Sequence, residues 1–176
     1  MKKLCVVITG CGHSGKTYIR KSISSSFPQM KIKAEDLCFY IERNNLQYPN
    51  KYYSWIQQQI NKNEVTLLET HPPYIPMLKS NDKYDVLYLH LYIKNFDQWV
   101  LQYKKRLPKR RRKIKLGMFD DFVDLEERQS LSKEYYEGFI DLYALTCTRL
   151  RDDYLIFHSS EKAKKYLLNF LRKRVS

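Results

Sequence analysis

The sequence predicts an α/β fold, a single domain over residues 1–176 with a five-stranded, mainly parallel sheet, helices on both faces and a short basic lid. Three observations predict it. Short, nearly pure apolar runs of strand length alternate with longer stretches of helical periodicity, the pattern of strands buried on both faces. The first of these runs passes directly into the glycine-rich loop Gly10-Cys11-Gly12-His13-Ser14-Gly15-Lys16-Thr17 and then into a helix. The length of 176 residues suits one core, since single cores commonly reach roughly 100–200 residues.

The elements follow in order. Residues 4–8 (Leu4, Cys5, Val6, Val7, Ile8) read as a buried strand, and residues 18–23 continue the loop as a helix until Phe27-Pro28 breaks the pattern. Residues 30–34 form a second short strand with Glu35 and Asp36 at its C-terminal end. Residues 37–43 and 51–61 read as helices, separated by the turn signals Asn44-Asn45 and Tyr48-Pro49-Asn50. A third strand over residues 65–68 ends in Glu69-Thr70-His71-Pro72-Pro73, where the prolines cannot extend a ladder. Residues 86–93 make a fourth strand, and a helix over residues 96–106 follows it. The basic run, Gly117 and the acidic pair Asp120-Asp121 then lead to a long helix over about residues 131–150, a fifth strand over residues 154–158 and an amphipathic closing helix over residues 161–174. No repeat, linker or low-complexity segment interrupts the series. In such open parallel sheets ligands bind at the C-terminal ends of the strands.

The loop is a full match to G-x-x-x-x-G-K-[ST] and stands in the strand–loop–helix context that gives the motif its chemistry. Its glycines let successive backbone N–H groups converge on one concavity, and the following helix directs its N-terminal dipole at the same point, so an anionic phosphate fits there. Gly10, Gly12, His13, Ser14, Gly15, Lys16 and Thr17 are therefore the expected nucleotide-binding residues. Lys16, expected in a solvent-open loop, reaches the β/γ-phosphates, Thr17 holds Mg²⁺, and His13 contributes its backbone N–H more than its ring.

The formal net charge of +13 favours polyanionic partners. Much of it lies in the run from Lys104 to Lys113 and in the C-terminal Leu171-Arg172-Lys173-Arg174. A basic run is also an ordinary solvated surface or a nucleic-acid patch, so nucleic acid stays open as a partner. Cys5, Cys11, Cys38 and Cys147 have neither C-x-x-C nor zinc spacing, which implies no disulfide framework or metal cage. No segment approaches the roughly 20 apolar residues of a membrane span, and the basic start is followed by too short an apolar run for a leader. A cytoplasmic protein with no membrane association is expected; the oligomeric state is not readable.

With its elements placed, the chain resembles the small P-loop kinases of nucleosides and nucleotides, the adenylate kinase-like and deoxynucleotide kinase-like families. Ile32-Lys33-Ala34-Glu35-Asp36-Leu37 is similar to the segment that closes over their phosphate acceptor, and Thr66-Leu67-Leu68-Glu69-Thr70-His71-Pro72-Pro73 to their third strand. Residues 86–93 with Arg106 and Arg110-Arg111-Arg112 resemble the strand, helix and arginine-bearing lid that closes over ATP, here over about residues 104–121. The resemblance implies a single-domain P-loop fold and ATP-dependent phosphoryl transfer with Mg²⁺ to a nucleoside, nucleotide or nucleic-acid hydroxyl. Phosphoryl transfer rests on positioning and on stabilising spread negative charge, so cations on a closing lid suit it. Lys16, Asp36, Glu69, Arg106, Arg110 and Arg111 are the expected catalytic residues. Either carboxylate serves as base or holds water on Mg²⁺, against capping and turn roles for the same residues. Two features depart from the family: Arg43 stands seven positions beyond Asp36, and His90 and Lys94 replace an acidic residue at the fourth strand's exit.

A weaker resemblance links residues 10–15 to the phosphosulfate loop of P-loop sulfotransferases, with a 3′-phosphoadenosine sulfate donor. Those loops commonly continue Ser-Gly-Thr-Thr, whereas Lys16 holds the first threonine's place and Gln102 stands where a 3′-phosphate-binding serine is expected. A non-catalytic nucleotide- or nucleic-acid-binding protein is the third alternative. His71 and His90 are read as pocket lining and packing, and Tyr40, Tyr48, Tyr52, Tyr53 and Trp55 as core more than as a stacking surface.

Overall fold

A computed structural model describes residues 2–12, 14–44, 50–71, 74–114, 131–150 and 154–175. The alternation of side chains along β1 (Lys3–Gly10) explains the layers. Leu4, Val6 and Ile8 point to one face of the sheet and Cys5 and Val7 to the other, and each side is capped by helices. On the first face Ile19 and Ile23 of α1 (Lys16–Ser26) pack with Ala163, Leu167 and Leu171 of α6 (Ser160–Val175). On the second, Leu37 and Ile41 of α2 (Leu37–Asn44) and Tyr52, Ile56 and Ile60 of α3 (Asn50–Lys62) share a core with Trp99 of α4 (Phe96–Ile114) and Tyr136 of α5 (Lys133–Leu150).

The five strands, completed by β2 (Ile32–Asp36), β3 (Val65–Glu69), β4 (Tyr84–Leu91) and β5 (Tyr154–Phe157), are all parallel in the order β2-β3-β1-β4-β5. This is the α/β sheet with helices on both faces that the sequence predicts. From β1 the chain passes to the far edge at β2, returns through β3, and then crosses to the other side of β1 for β4. The strand order therefore reverses around β1, which opens a crevice at its C-terminal end. Register sets what lines that crevice, because Ile8 pairs with Glu69 and Glu69 pairs with Asp36, so the last residues of β2 and β3 lie level with Ile8, two residues before the end of β1.

The β3-to-β4 connection has no helix among its described residues and is held by tyrosines. Tyr88 Oη donates to Pro76 O at 2.6 Å and accepts from Leu78 N at 2.7 Å, and Tyr52 Oη donates to Tyr74 O. Tyr40 and Trp55 stack on each other with ring centroids 4.0 Å apart. Tyr40, Tyr52, Tyr53 and Trp55 thus pack with protein, as their helical spacing suggests, whereas Phe39 of α2 is 71% exposed. Tyr48 lies outside the described residues.

Most boundaries fall within three residues of the sequence expectation, and one differs by more than a helical turn. The helix expected to end near Arg106 runs on as α4 to Ile114. Lysine and arginine are good helix formers, and Pro108 removes one backbone hydrogen bond without ending the helix. The first part of the expected lid, residues 104–114, is therefore the continuation of α4. Residues 115–121 lie outside the described residues.

Candidate functional site

The loop between β1 and α1 is shaped by two glycines whose backbone other residues rarely adopt. Gly10 has φ +142°, and a Cβ there would stand 2.4 Å from Leu91 O; Gly15 has φ +95°, and a Cβ there would stand 2.7 Å from Ser160 Cβ. Gly15→Ala is expected to lose about 1–3 kcal/mol of stability, because both the left-handed backbone and the closeness of α6 oppose a side chain. Urea denaturation checks it; an unchanged midpoint would mean that the loop does not lie against Ser160.

Lys16 is buried, at 7% exposure, where a solvent-open side chain is expected from sequence. Its ammonium folds back into the loop and donates to Gly10 O at 2.8 Å and Cys11 O at 2.9 Å. Burial lowers its pKa, opposed chiefly by the negative charge of Glu69. Two carbonyls thus hold the cation, and the charge of Glu69 favours it from farther away. Ser14 Oγ is also buried and has no hydrogen-bond partner among the described residues.

Glu69 joins the loop to the sheet. Its Oε1 accepts from Thr17 Oγ1 at 2.6 Å and its Oε2 from Arg20 Nε at 2.8 Å, with the carboxylate side chain 7% exposed. Thr17 and Arg20 are three apart on α1 and so share a face, which lets one carboxylate bind both. Arg20 carries no motif of its own in the sequence; its i, i+3 spacing from Thr17 is the signal that points to it.

Asp36 is less engaged. It caps α2 loosely, accepting from Phe39 N at 3.4 Å, and its pKa is raised by burial and then by repulsion from Glu69. Its capping role and its place beside the loop coexist. Behind it Cys38 Sγ lies 3.3 Å from His71 Nδ1. Burial pushes the Cys38 thiol up to about 11 and lowers His71, so the pair is a neutral thiol and a neutral imidazole near pH 7.

His90, 3% exposed, is drawn down to about 4, first by burial and second by the Lys16 ammonium. The unfolded chain takes up this proton below its ordinary 6.5, while the folded chain refuses it until about 4. Stability should therefore fall as pH drops through that window, by about 1.4 kcal/mol per pH unit for one proton, with His71 adding in the same direction. Urea midpoints at pH 7, 6 and 5 test this, and His90→Gln should flatten the slope. A wild-type midpoint independent of pH over that range would contradict it.

Beside the loop a cleft of about 260 Å³ opens between the end of β4, the first turns of α4 and the end of β5, lined among others by Ser14, Tyr92, Gln98, Gln102, His158 and Ser160. Tyr92 and His158 meet edge to face there at 5.5 Å. The cleft adjoins the glycine loop at Ser14 and Gly15.

The structure thus brings together Gly10, Gly12, Ser14, Gly15, Lys16, Thr17, Asp36 and Glu69 at one end of the sheet. His13 lies outside the described residues, as do Pro72 and Pro73. Arg106, Arg110 and Arg111 fall on the backbone of α4, and their side chains are outside those described. Among the described residues no three His, Cys, Asp or Glu side chains form a metal cluster, and no helix is long and apolar enough to cross a membrane. Cys5, Cys11 and Cys38 are buried free thiols.

No family model matches the chain, and no curated protein matches it. Among solved structures, one described as the crystal structure of APE1195 is similar over 85% of this chain and 98% of that chain, at 13% identity and a TM-score of 0.43. A likeness of that degree adds nothing to the geometry.

Proposed function

We propose that the chain is an ATP-dependent, Mg²⁺-dependent phosphotransferase acting on a nucleoside, nucleotide or nucleic-acid hydroxyl, working in the cytoplasm. The observation that carries the reading is the carboxylate of Glu69 at the end of β3, hydrogen-bonded to the Thr17 hydroxyl beside a loop that encloses the Lys16 ammonium. The groups fit the donor: Ser14 Oγ is buried with no hydrogen-bond partner among the described residues, and the close packing of Gly10 on Leu91 and of Gly15 on Ser160 fixes the curved backbone of the loop. Thr17 and Glu69 would hold Mg²⁺, which prefers one or two protein oxygens together with phosphates. When bound, the ion neutralises charge on the transferring group.

The chain's own residues divide the remaining work. Lys16 exchanges the Gly10 and Cys11 carbonyls for phosphate oxygens, where its charge is paired. Arg20 and Thr17 engage both oxygens of Glu69, so Glu69 positions and does not take a proton. Asp36, level with it and with a raised pKa, is the carboxylate suited to accept the proton of the acceptor hydroxyl. The cleft beside Tyr92 and His158 receives the base and sugar of the donor, and Arg106, Arg110 and Arg111 supply the cations that meet the spread negative charge.

Thermal-shift titration tests the donor. ATP with Mg²⁺ is expected to raise Tm, by an amount equivalent to about 2.7 kcal/mol at a hundredfold excess over Kd. A shift with 3′-phosphoadenosine sulfate donors and none with ATP and Mg²⁺ would replace this reading by sulfuryl transfer.

A further inference from the structure

The outer face of α6 takes no part in the site described above, and its charge is arranged in a line. Lys162, Lys165, Asn169 and Arg172 recur at spacings of three, four and three residues, the repeat of one helical stripe, and Lys173 stands beside Arg172. All are exposed, while Ala163, Leu167 and Leu171 on the opposite side are buried against the sheet. The stripe from Lys162 to Arg172 spans about 15 Å at roughly 1.5 Å per residue. Glu161, the carboxylate of this helix, is engaged by Lys164 at 2.9 Å.

Beside the stripe stands an aromatic surface. Tyr166 is 37% exposed and stacks on Phe170 with ring centroids 6.2 Å apart and planes at 24°, and it also packs on Phe157 at the end of β5. An exposed ring braced from behind, next to a line of cations, offers what a single strand needs: charge for its phosphates and a face for a base.

We infer that the exposed face of α6, with Lys162, Lys165, Arg172 and Tyr166, is a docking surface for single-stranded nucleic acid. The chain's net charge of +13 is complementary to that polymer. A lipid surface fits less well, because the apolar side of α6 is already committed to the core and cannot enter a bilayer. An acidic peptide lacks the repeat of charge and aromatic face that the stripe matches. The inference stands apart from the phosphotransferase reading, since none of these residues touches the loop or its carboxylates.

Fluorescence anisotropy of a labelled single-stranded oligonucleotide of about 12 nucleotides, within the range of known strand-binding site sizes, tests it. The triple variant Lys162→Gln, Lys165→Gln, Arg172→Gln should bind roughly tenfold or more weakly, and the slope of log K against log salt should become shallower by about 2, near 0.7 for each phosphate contact removed. The charge-conserving set Lys162→Arg, Lys165→Arg, Arg172→Lys should restore both. Tyr166→Leu should weaken binding severalfold with the salt slope unchanged, because stacking releases no counterions. The thermal shift with ATP and Mg²⁺ should be the same in all four proteins, so its absence speaks against the donor reading and not against this surface. Wild-type oligonucleotide affinity and slope in the triple variant would overturn the inference. So would a loss confined to Arg110→Ala, Arg111→Ala, Arg112→Ala, or tighter binding to polyglutamate or anionic vesicles than to the oligonucleotide.

Discussion

Lys16→Ala is expected to abolish the thermal shift with ATP and Mg²⁺ and to lower phosphoryl transfer by at least about 10²-fold, while the protein keeps its fold. The catalytic half follows from charge: the ammonium is the cation that the loop holds on the carbonyls of Gly10 and Cys11. The structural half follows from burial. The side chain is 7% exposed and its pKa is lowered by that burial, so the protein holds this charge at a cost. Alanine removes two hydrogen bonds together with a desolvated charge, two effects of opposite sign, and the net change in stability should stay within about 1 kcal/mol. Far-UV circular dichroism with urea titration reads the fold, and thermal shift reads the ligand. A Lys16→Ala protein that is native and still stabilised by ATP to the wild-type extent would end the kinase assignment.

The second large effect separates the two carboxylates. Glu69→Ala should cost about 3 kcal/mol, because it leaves the Arg20 guanidinium, 17% exposed, without its partner and the Thr17 hydroxyl without its acceptor. Glu69→Gln keeps the shape and one acceptor, so it should retain more stability yet lose about 10²-fold in Mg²⁺-dependent transfer. Asp36→Asn should do the reverse. Burial and the repulsion of Glu69 raise the Asp36 pKa, so its charge opposes folding above that raised value, and asparagine should raise Tm while lowering turnover by about 10²–10⁴-fold. Measured side by side, the three variants assign the roles. If Asp36→Asn turns over at the wild-type rate, Asp36 is only the cap of α2.

The parts of the site that were legible in the sequence are those that are contiguous in it. β1, the glycine loop and α1 occupy neighbouring positions, and the chemistry of each residue there follows from its place in a local motif. Asp36 and Glu69 could be named as strand-end carboxylates for the same reason. The division of labour proposed for them could not, because it depends on Arg20 reaching across from α1 to β3 and on the Asp36–Glu69 register. The extent of α4 is not local in this way: the expected helix ends near Arg106, whereas the helix continues to Ile114 because lysine and arginine propagate a turn already started.

By itself the sequence determined the fold class, the order of strands and helices and the place of the glycine loop, since apolar run length, glycine placement and helical period are local properties that the chain carries wherever it goes. Only the tertiary structure decided that Lys16 is buried against the loop carbonyls, that Glu69 is held from two sides while Asp36 is not, and that the cations of α6 line one outward face beside Tyr166. Those facts depend on the strand order β2-β3-β1-β4-β5 and on which helix covers which face. Burial and charge–charge repulsion act between residues far apart in sequence, so they take their values only when the sheet has brought the strand ends together.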